Sequence, residues 1–243
     1  GGAGVGRIAV TGDADWWLND LRVISSMGGR INLDDVERGT IVAGNSNNTI
    51  VAVGFSGPLI LVGLGGNDTV WSGPGNDVVS GGNGNDRLFG GDGDDSLDGG
   101  SNNDWLYGGI GDDTLTGGID NDWLFGGDDD DALFGGLGID VLAGQSGNDS
   151  LNGEGGLDLF WFEGTNNSEL LHLQYVDASN ARFVRRPRGL SVELERDTIN
   201  LDPTDQILIH AWDGEDLITI DLAFDNTGSV DGGAGIDSCT TQK

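Results

Sequence analysis

GGNGNDRLFGGDGDDSLD occupies residues 81–98 and contains two successive copies of one nine-residue pattern, Gly-Gly-x-Gly-x-Asp-x-apolar-x. The pattern extends in both directions without an insertion, dividing Gly63 to Trp161 into eleven consecutive units. GGIGDDTLT (108–116) and GGLGIDVLA (135–143) match it completely, while GGSNNDWLY, GGIDNDWLF, GGDDDDALF and GQSGNDSLN depart at the second or fourth position. The sixth position is Asp in every unit: Asp68, Asp77, Asp86, Asp95, Asp104, Asp113, Asp122, Asp131, Asp140, Asp149 and Asp158. The eighth is always apolar: Val70, Val79, Leu88, Leu97, Leu106, Leu115, Leu124, Leu133, Leu142, Leu151 and Phe160.

Each position has a physical reason. Glycines permit turn dihedrals closed to other residues and let backbone carbonyls approach an ion. The Asp that ends the turn offers a hard carboxylate oxygen, which suits calcium and its many-oxygen, flexible coordination. The last three residues form a minimal strand whose middle side chain points inward and whose flanking side chains point outward. Such a strand cannot stand alone, so neighbouring units must stack to bury the apolar row. Stacking without metal would bring the carboxylates together at intervals of about 4.8 Å, where like charges repel more strongly as solvent is excluded.

These units resemble the RTX, or haemolysin-type, calcium-binding repeat family. The resemblance implies an all-β fold: a right-handed parallel β-roll (β-solenoid) in which two nonapeptides make one coil. It implies calcium between turns stacked on the same edge, held by Asp carboxylates and turn carbonyls. On that basis Asp68, Asp86, Asp104, Asp122, Asp140 and Asp158 line one edge, and Asp77, Asp95, Asp113, Asp131 and Asp149 line the other. Six turns leave five gaps and five turns leave four, a ceiling of nine ions for this block. Asn102, Asp120 and Asp129 replace glycine at the fourth position and are expected to tolerate a left-handed turn. Leu64, Gln145 and Glu154 replace it less comfortably at the second. In 54–62, GFSGPLILV, Leu59 stands in the Asp position, so this unit is expected to be an ion-free coil.

Sorted by a period of eighteen, the outward positions divide. Odd units present Trp71, Phe89, Tyr107, Phe125 and Trp161, with Trp105 and Trp123 beside them; even units present mainly Ser80, Ser96, Asp98, Thr114, Thr116, Ser150 and Asn152. Aromatic side chains bury about 150–250 Å² each, so one sheet face is expected to need a cover. The segment after Trp161, another copy of the protein, or a glycan are the candidate occupants. No regular outward threonine ladder of an ice-binding surface is present.

Among 243 residues, 46 are glycine, and 41 acidic residues against 11 basic give a formal charge of −30. This charge argues for multivalent cations as partners, and against nucleic acid and anionic membrane surfaces. A basic enclave at Arg182, Arg185, Arg186 and Arg188 lies beside Pro187 and Gly189, which suggest a local turn; nearby carboxylates are its expected partners. The single Cys239 excludes an intrachain disulfide framework. No apolar run reaches the length of a transmembrane helix. The opening GGAGVGRIAV carries no secretory leader, so the chain is expected to be a mature or excised piece.

The expected organisation is degenerate solenoid coils or a cap over 1–62, the eleven-unit roll over 63–161, and an irregular β-rich segment over 162–243. GTIVAGNSNNTIVAVG (39–54) alternates turn residues with β-branched strands like degenerate rungs. Asp13 and Asp15 near Trp16 and Trp17 suggest a cap or, less well, a carbohydrate site. ELLHLQYV, LSVELE, DQILIHAW and DLITIDLAF read as later strands, with AWDGEDLIT (211–219) a loose repeat. GGAGIDSCT (232–240) restores the full pattern and places Asp237 in the metal row. It needs a neighbour to stack on, so the parent polypeptide is expected to continue.

Catalytic patterns are lacking. His172 and His210 belong to no HExxH, GFSGP and GQSGN are not GxSxG, and the repeat already accounts for the abundant carboxylate pairs. Asp92 to Asp95 superficially resemble the start of an EF-hand loop, but the nine-residue register explains them. The chain is expected to be no enzyme. Its expected function is calcium binding that drives folding and stabilisation of a repeat module, which the resemblance places outside the cell. The alternatives are an adhesive or glycan-binding module using the aromatic face, or a non-catalytic part of a secreted enzyme or toxin.

Overall fold

The computed structural model describes residues 6–19, 22–26, 30–32, 36–156, 158–163, 169–177, 180–187, 195–200, 206–210, 217–221, 227–231 and 238–242, with side chains described within 9–16, at 18 and 26, and within 38–156 and 158–161. Every regular element among them is a strand. In the repeat block these are β8 (Thr69–Pro74), β9 (Val78–Asn83), β10 (Arg87–Asp92), β11 (Ser96–Ser101), β12 (Trp105–Ile110), β13 (Thr114–Ile119), β14 (Trp123–Asp128), β15 (Ala132–Gly138), β16 (Val141–Ser146), β17 (Ser150–Gly156) and β18 (Leu159–Glu163).

Consecutive strands alternate between two sheets, and each pairs in parallel with the strand one coil away. Leu88 registers with Val70 on one side and Leu106 on the other, while Leu97 registers with Val79 and Leu115 in the opposite sheet. Two nonapeptides therefore make one coil. The strands are longer than the three residues expected from the apolar pattern. Pairing continues through the second glycine and the residue after it, as in Gly91 with Gly109 and Asp92 with Ile110. Glycine gives no inside-outside signal, so the extension is carried by backbone bonds alone.

Ile41, Leu61, Val79, Leu97, Leu115, Leu133 and Leu151 from one sheet meet Ile50, Val70, Leu88, Leu106, Leu124, Leu142 and Phe160 from the other, each no more than 1% exposed. Burying each such side chain contributes roughly 1.5–3 kcal/mol, and the contribution recurs once per unit.

The flanks extend both sheets. β1 (Gly6–Thr11), β5 (Val36–Val42) and β7 (Leu59–Gly65) precede β9, while β6 (Thr49–Gly54) and β2 (Trp16–Asn19) precede β8, all parallel. Residues 39–54 thus contribute a strand to each sheet. β3 (Arg22–Ser25) and β4 (Arg30–Asn32) add an antiparallel edge. After the block, β22 (Gln206–His210) and β24 (Thr227–Asp231) continue the sheet of β18. The other sheet takes an antiparallel trio, β19 (Glu169–Asp177), β20 (Asn180–Pro187) and β21 (Glu195–Asn200), then β23 (Leu217–Asp221) and β25 (Ser238–Gln242). Arg182, Arg185 and Arg186 lie on β20, where Arg185 registers opposite Glu195. Asp237, Arg188 and residues 190–194 of LSVELE lie outside the described residues.

Candidate metal centre: two rows of buried carboxylates

The eleven sixth-position aspartates, Asp68 through Asp158, are all buried, none more than 3% exposed. They form the two expected rows, one along each edge between the sheets. Within a row the Oδ1 of each Asp accepts the backbone N–H of the Asp one coil earlier. The chain runs Asp68 to Asp86 at 2.7 Å, Asp86 to Asp104 at 2.7 Å, Asp104 to Asp122 and Asp122 to Asp140 at 2.8 Å, and Asp140 to Asp158 at 3.0 Å. The opposite edge repeats it from Asp77 through Asp95, Asp113 and Asp131 to Asp149, at 2.7–2.9 Å.

At the N-terminal ends neutral residues take the Asp place. Asn48 N–H donates to Asp68 and Leu59 N–H to Asp77, both at 2.7 Å. Asn48 is itself capped, because its Nδ2 donates to Asp13 Oδ1, which also accepts from Ser46 N–H and Oγ. Asp15 Oδ1 accepts Thr49 N–H at 2.8 Å. Asp13 and Asp15 therefore bind the next coil at the N-terminal end of this row.

The second carboxylate oxygen differs from the first. The Oδ2 atoms of Asp68, Asp77, Asp86, Asp95, Asp104, Asp113, Asp122, Asp131 and Asp140 are buried and accept no hydrogen bond from the protein. Each except Asp77, whose unit begins with Ser72, lies against the first glycine of its unit. A Cβ on Gly99 would fall 2.5 Å from Asp104 Oδ2 and 2.7 Å from the Gly117 carbonyl oxygen, and one on Gly117 would fall 2.6 Å from both Asp122 Oδ2 and the Gly135 carbonyl oxygen. Glycine at this position keeps a space flanked by a carboxylate oxygen and a main-chain carbonyl oxygen of the next coil. Unsatisfied buried carboxylate oxygens are costly, and a hard cation with oxygen ligands fits this donor set. Among the described residues no three His, Cys, Asp or Glu side chains converge on one point. The carboxylates form rows, so carbonyl oxygens would have to complete the coordination of an ion.

Burial raises the proton affinity of these carboxyls. Desolvation pushes Asp77, Asp86 and Asp140 up to about 6, Asp113 and Asp122 to about 7, and Asp95, Asp104 and Asp131 to about 8. The backbone N–H bond opposes the shift, while neighbouring carboxylates, such as Asp94, Asp112 and Asp129 around Asp113, add to it. Without metal, the folded roll therefore holds more protons than the unfolded chain between about pH 4 and pH 8, and its stability falls as pH rises through that window. Metal-free protein is expected to gain β structure on acidification from about pH 8 to about pH 5, monitored by circular dichroism. A β signal that instead weakens across this range would contradict the assigned shifts.

The six residues replacing glycine, Leu64, Asn102, Asp120, Asp129, Gln145 and Glu154, all adopt positive φ, between 66° and 79°. The repeat imposes the turn on Leu64, Gln145 and Glu154 despite their side chains, so these turns are strained but intact.

A second ladder escaped the sequence reading. The fifth-position residues from Asn67 to Ile139 and from Asn76 to Asn148 also bond along their edges, in the reverse direction: Asn85 N–H donates to Asn67 Oδ1 at 3.0 Å and Asp112 N–H to Asp94 Oδ1 at 3.2 Å. The recurrence of Asn or Asp before the buried Asp was its signal.

On the sheet of β8 to β18 the aromatic side chains stack along the coil axis. Trp71 and Phe89 lie 5.5 Å apart at 5°, and Trp105 and Trp123 5.4 Å apart at 8°. Trp105, Tyr107 and Trp123 are 42%, 38% and 40% exposed. Among the described residues, the strands after β18 extend the sheets at their ends.

A parallel β-solenoid with a row of buried, stacked carboxylates along each edge is the class of protein this geometry defines. Four copies of the RTX calcium-binding nonapeptide repeat match at residues 60–88, 80–115, 107–142 and 134–168, so the block is built of RTX calcium-binding repeats. This repeat family is calcium-binding and structural rather than catalytic. No curated protein matches the chain. Among the described residues no helix is long and apolar enough to cross a membrane.

Proposed function

We propose that this chain binds calcium along both Asp rows and that binding drives its folding into a stable module acting outside the cell. The buried Oδ2 atoms without protein hydrogen bonds carry this reading. Asp68, Asp77, Asp86, Asp95, Asp104, Asp113, Asp122, Asp131, Asp140, Asp149 and Asp158 are the proposed carboxylate ligands, with turn carbonyls beside them and Asp237 in a further repeat. Calcium would supply positive charge where the fold concentrates negative charge. The residues do the rest: Oδ1 locks one coil to the next, the first glycine keeps room for Oδ2, and the apolar row aligns the turns. Coupling follows because the carboxylates come into register only when the coils stack, so binding free energy is folding free energy. Extracellular calcium suits such a switch, and a structural role without catalysis agrees with the repeat family.

Asp113→Asn tests the assignment. Asn keeps an oxygen for the backbone bond but removes the charge. The variant is expected to bind about two fewer calcium ions at saturation, because its side chain borders two gaps in the stack, counted by equilibrium dialysis. An unchanged count would remove Asp113 from the ligand set.

A second reading, an adhesive or glycan-binding module, draws on the open Trp105, Tyr107 and Trp123. It ranks lower because parallel stacking turns the ring faces of Trp105 and Trp123 toward one another, whereas sugar recognition uses open ring faces.

A further inference from the structure

The two edges carry the same buried Asp row but different outer rows. Outside Asp68 to Asp140 stand Asn67, Asn85, Asn103 and Asn121, joined at 2.9–3.2 Å and followed by Ile139, whose N–H donates to Asn121 Oδ1. Outside Asp77 to Asp149 stand Asn76, Asp94, Asp112, Asp130 and Asn148, joined in the same way at 2.8–3.3 Å. Amide and carboxylate do the same hydrogen-bonding work, so the ladder does not require charge. Yet one edge places three carboxylates beside the buried row and adds exposed Asp92, Asp128 and Asp129, whereas the other adds only exposed Asp120 and Glu154. The acidic stretch runs alongside Asp95, Asp113 and Asp131, whose buried Oδ2 atoms accept no hydrogen bond.

We infer that the edges are unequal calcium rows: the edge bearing Asp94, Asp112 and Asp130 fills first and with the stronger salt dependence, and the Asn-lined edge fills later. The inference rests on the calcium reading above. The outer carboxylates are exposed and hold the ladder bonds, and they raise the local cation concentration and the favourable potential at the inner row. Because they are exposed, their effect is screened as salt rises, whereas an amide ladder contributes little of either effect. The chain thus has a graded response, with one edge ordering the coils at low calcium and the other completing them.

The test is a calcium isotherm of the full chain at low and high ionic strength, with bound ions counted. Wild type is expected to fill in two phases, the first more salt-sensitive. The triple variant Asp94→Asn, Asp112→Asn, Asp130→Asn is expected to keep the saturating count while the first midpoint rises roughly fivefold at low salt. The mirror variant Asn67→Asp, Asn85→Asp, Asn103→Asp is expected to lower the second midpoint, and it decides the matter alone if the triple variant does not fold. Calcium binding with midpoints and salt slopes unmoved in both variants would overturn the inequality while leaving the calcium reading intact. A wild-type chain that bound no calcium would overturn both.

Discussion

Gly109→Ala is expected to destabilise the calcium-loaded protein by roughly 3 kcal/mol or more. Gly109 has φ of +132°, beyond the left-handed well near about +57° that Asn and Asp tolerate. A Cβ there would also fall far inside contact distance of the Gly91 carbonyl oxygen one coil away. That neighbour is backbone, so relief requires coils to separate and parallel bonds to break. Leu64, Gln145 and Glu154 share Gly109's place in the repeat but lie at φ of 66° to 79°, so the wider φ at Gly109 and its close approach to the Gly91 carbonyl set the cost. Thermal unfolding of the loaded protein is expected to shift down on the order of 10 °C. Thr114→Ala, an exposed change on the outer sheet surface, is expected to stay within about 0.5 kcal/mol. A Gly109→Ala midpoint equal to that of Thr114→Ala would remove the tight coil contact from the account.

Calcium removal is expected to have a larger effect still. Folding without metal brings nine buried Oδ2 atoms into the interior with no hydrogen-bond partner. At neutral pH each group must either stay charged without solvation or take up a proton, and each choice opposes folding. Even about 1 kcal/mol per row member is comparable in sum with the whole stability of an ordinary domain, about 5–15 kcal/mol. The apolar row does not compensate on its own, since a coil buries little more than two large side chains and its glycines carry a high conformational cost. Chelation is therefore expected to unfold or expand the repeat block, and restored calcium to refold it. The acid-induced gain of structure has the same origin, with protons replacing metal at the carboxylates.

The block was legible from sequence because each position has one dominant job. Asp86 and Leu88 are buried as their register requires, and Asn102, Asp120 and Asp129 occupy the left-handed turns expected of them. The strand extension through Gly90 and Gly91 was not legible, since glycine leaves no side-chain alternation to read. The Asp13–Asn48 bond joins residues far apart in sequence, beyond the reach of a local period, whereas β19, β20 and β21 pair with their sequence neighbours but in antiparallel, outside the nine-residue register. The fifth-position ladder was visible as a column of Asn and Asp, but composition alone does not distinguish a hydrogen-bonded ladder from solvated turn residues.

The central claim is most directly tested by far-ultraviolet circular dichroism of metal-free protein during calcium titration, with magnesium as control and bound ions counted in parallel. A cooperative gain of β signal with several calcium ions bound, absent with magnesium, is the predicted result. A metal-free protein already folded at neutral pH that bound no calcium would contradict it, and would leave the repeat a purely structural solenoid.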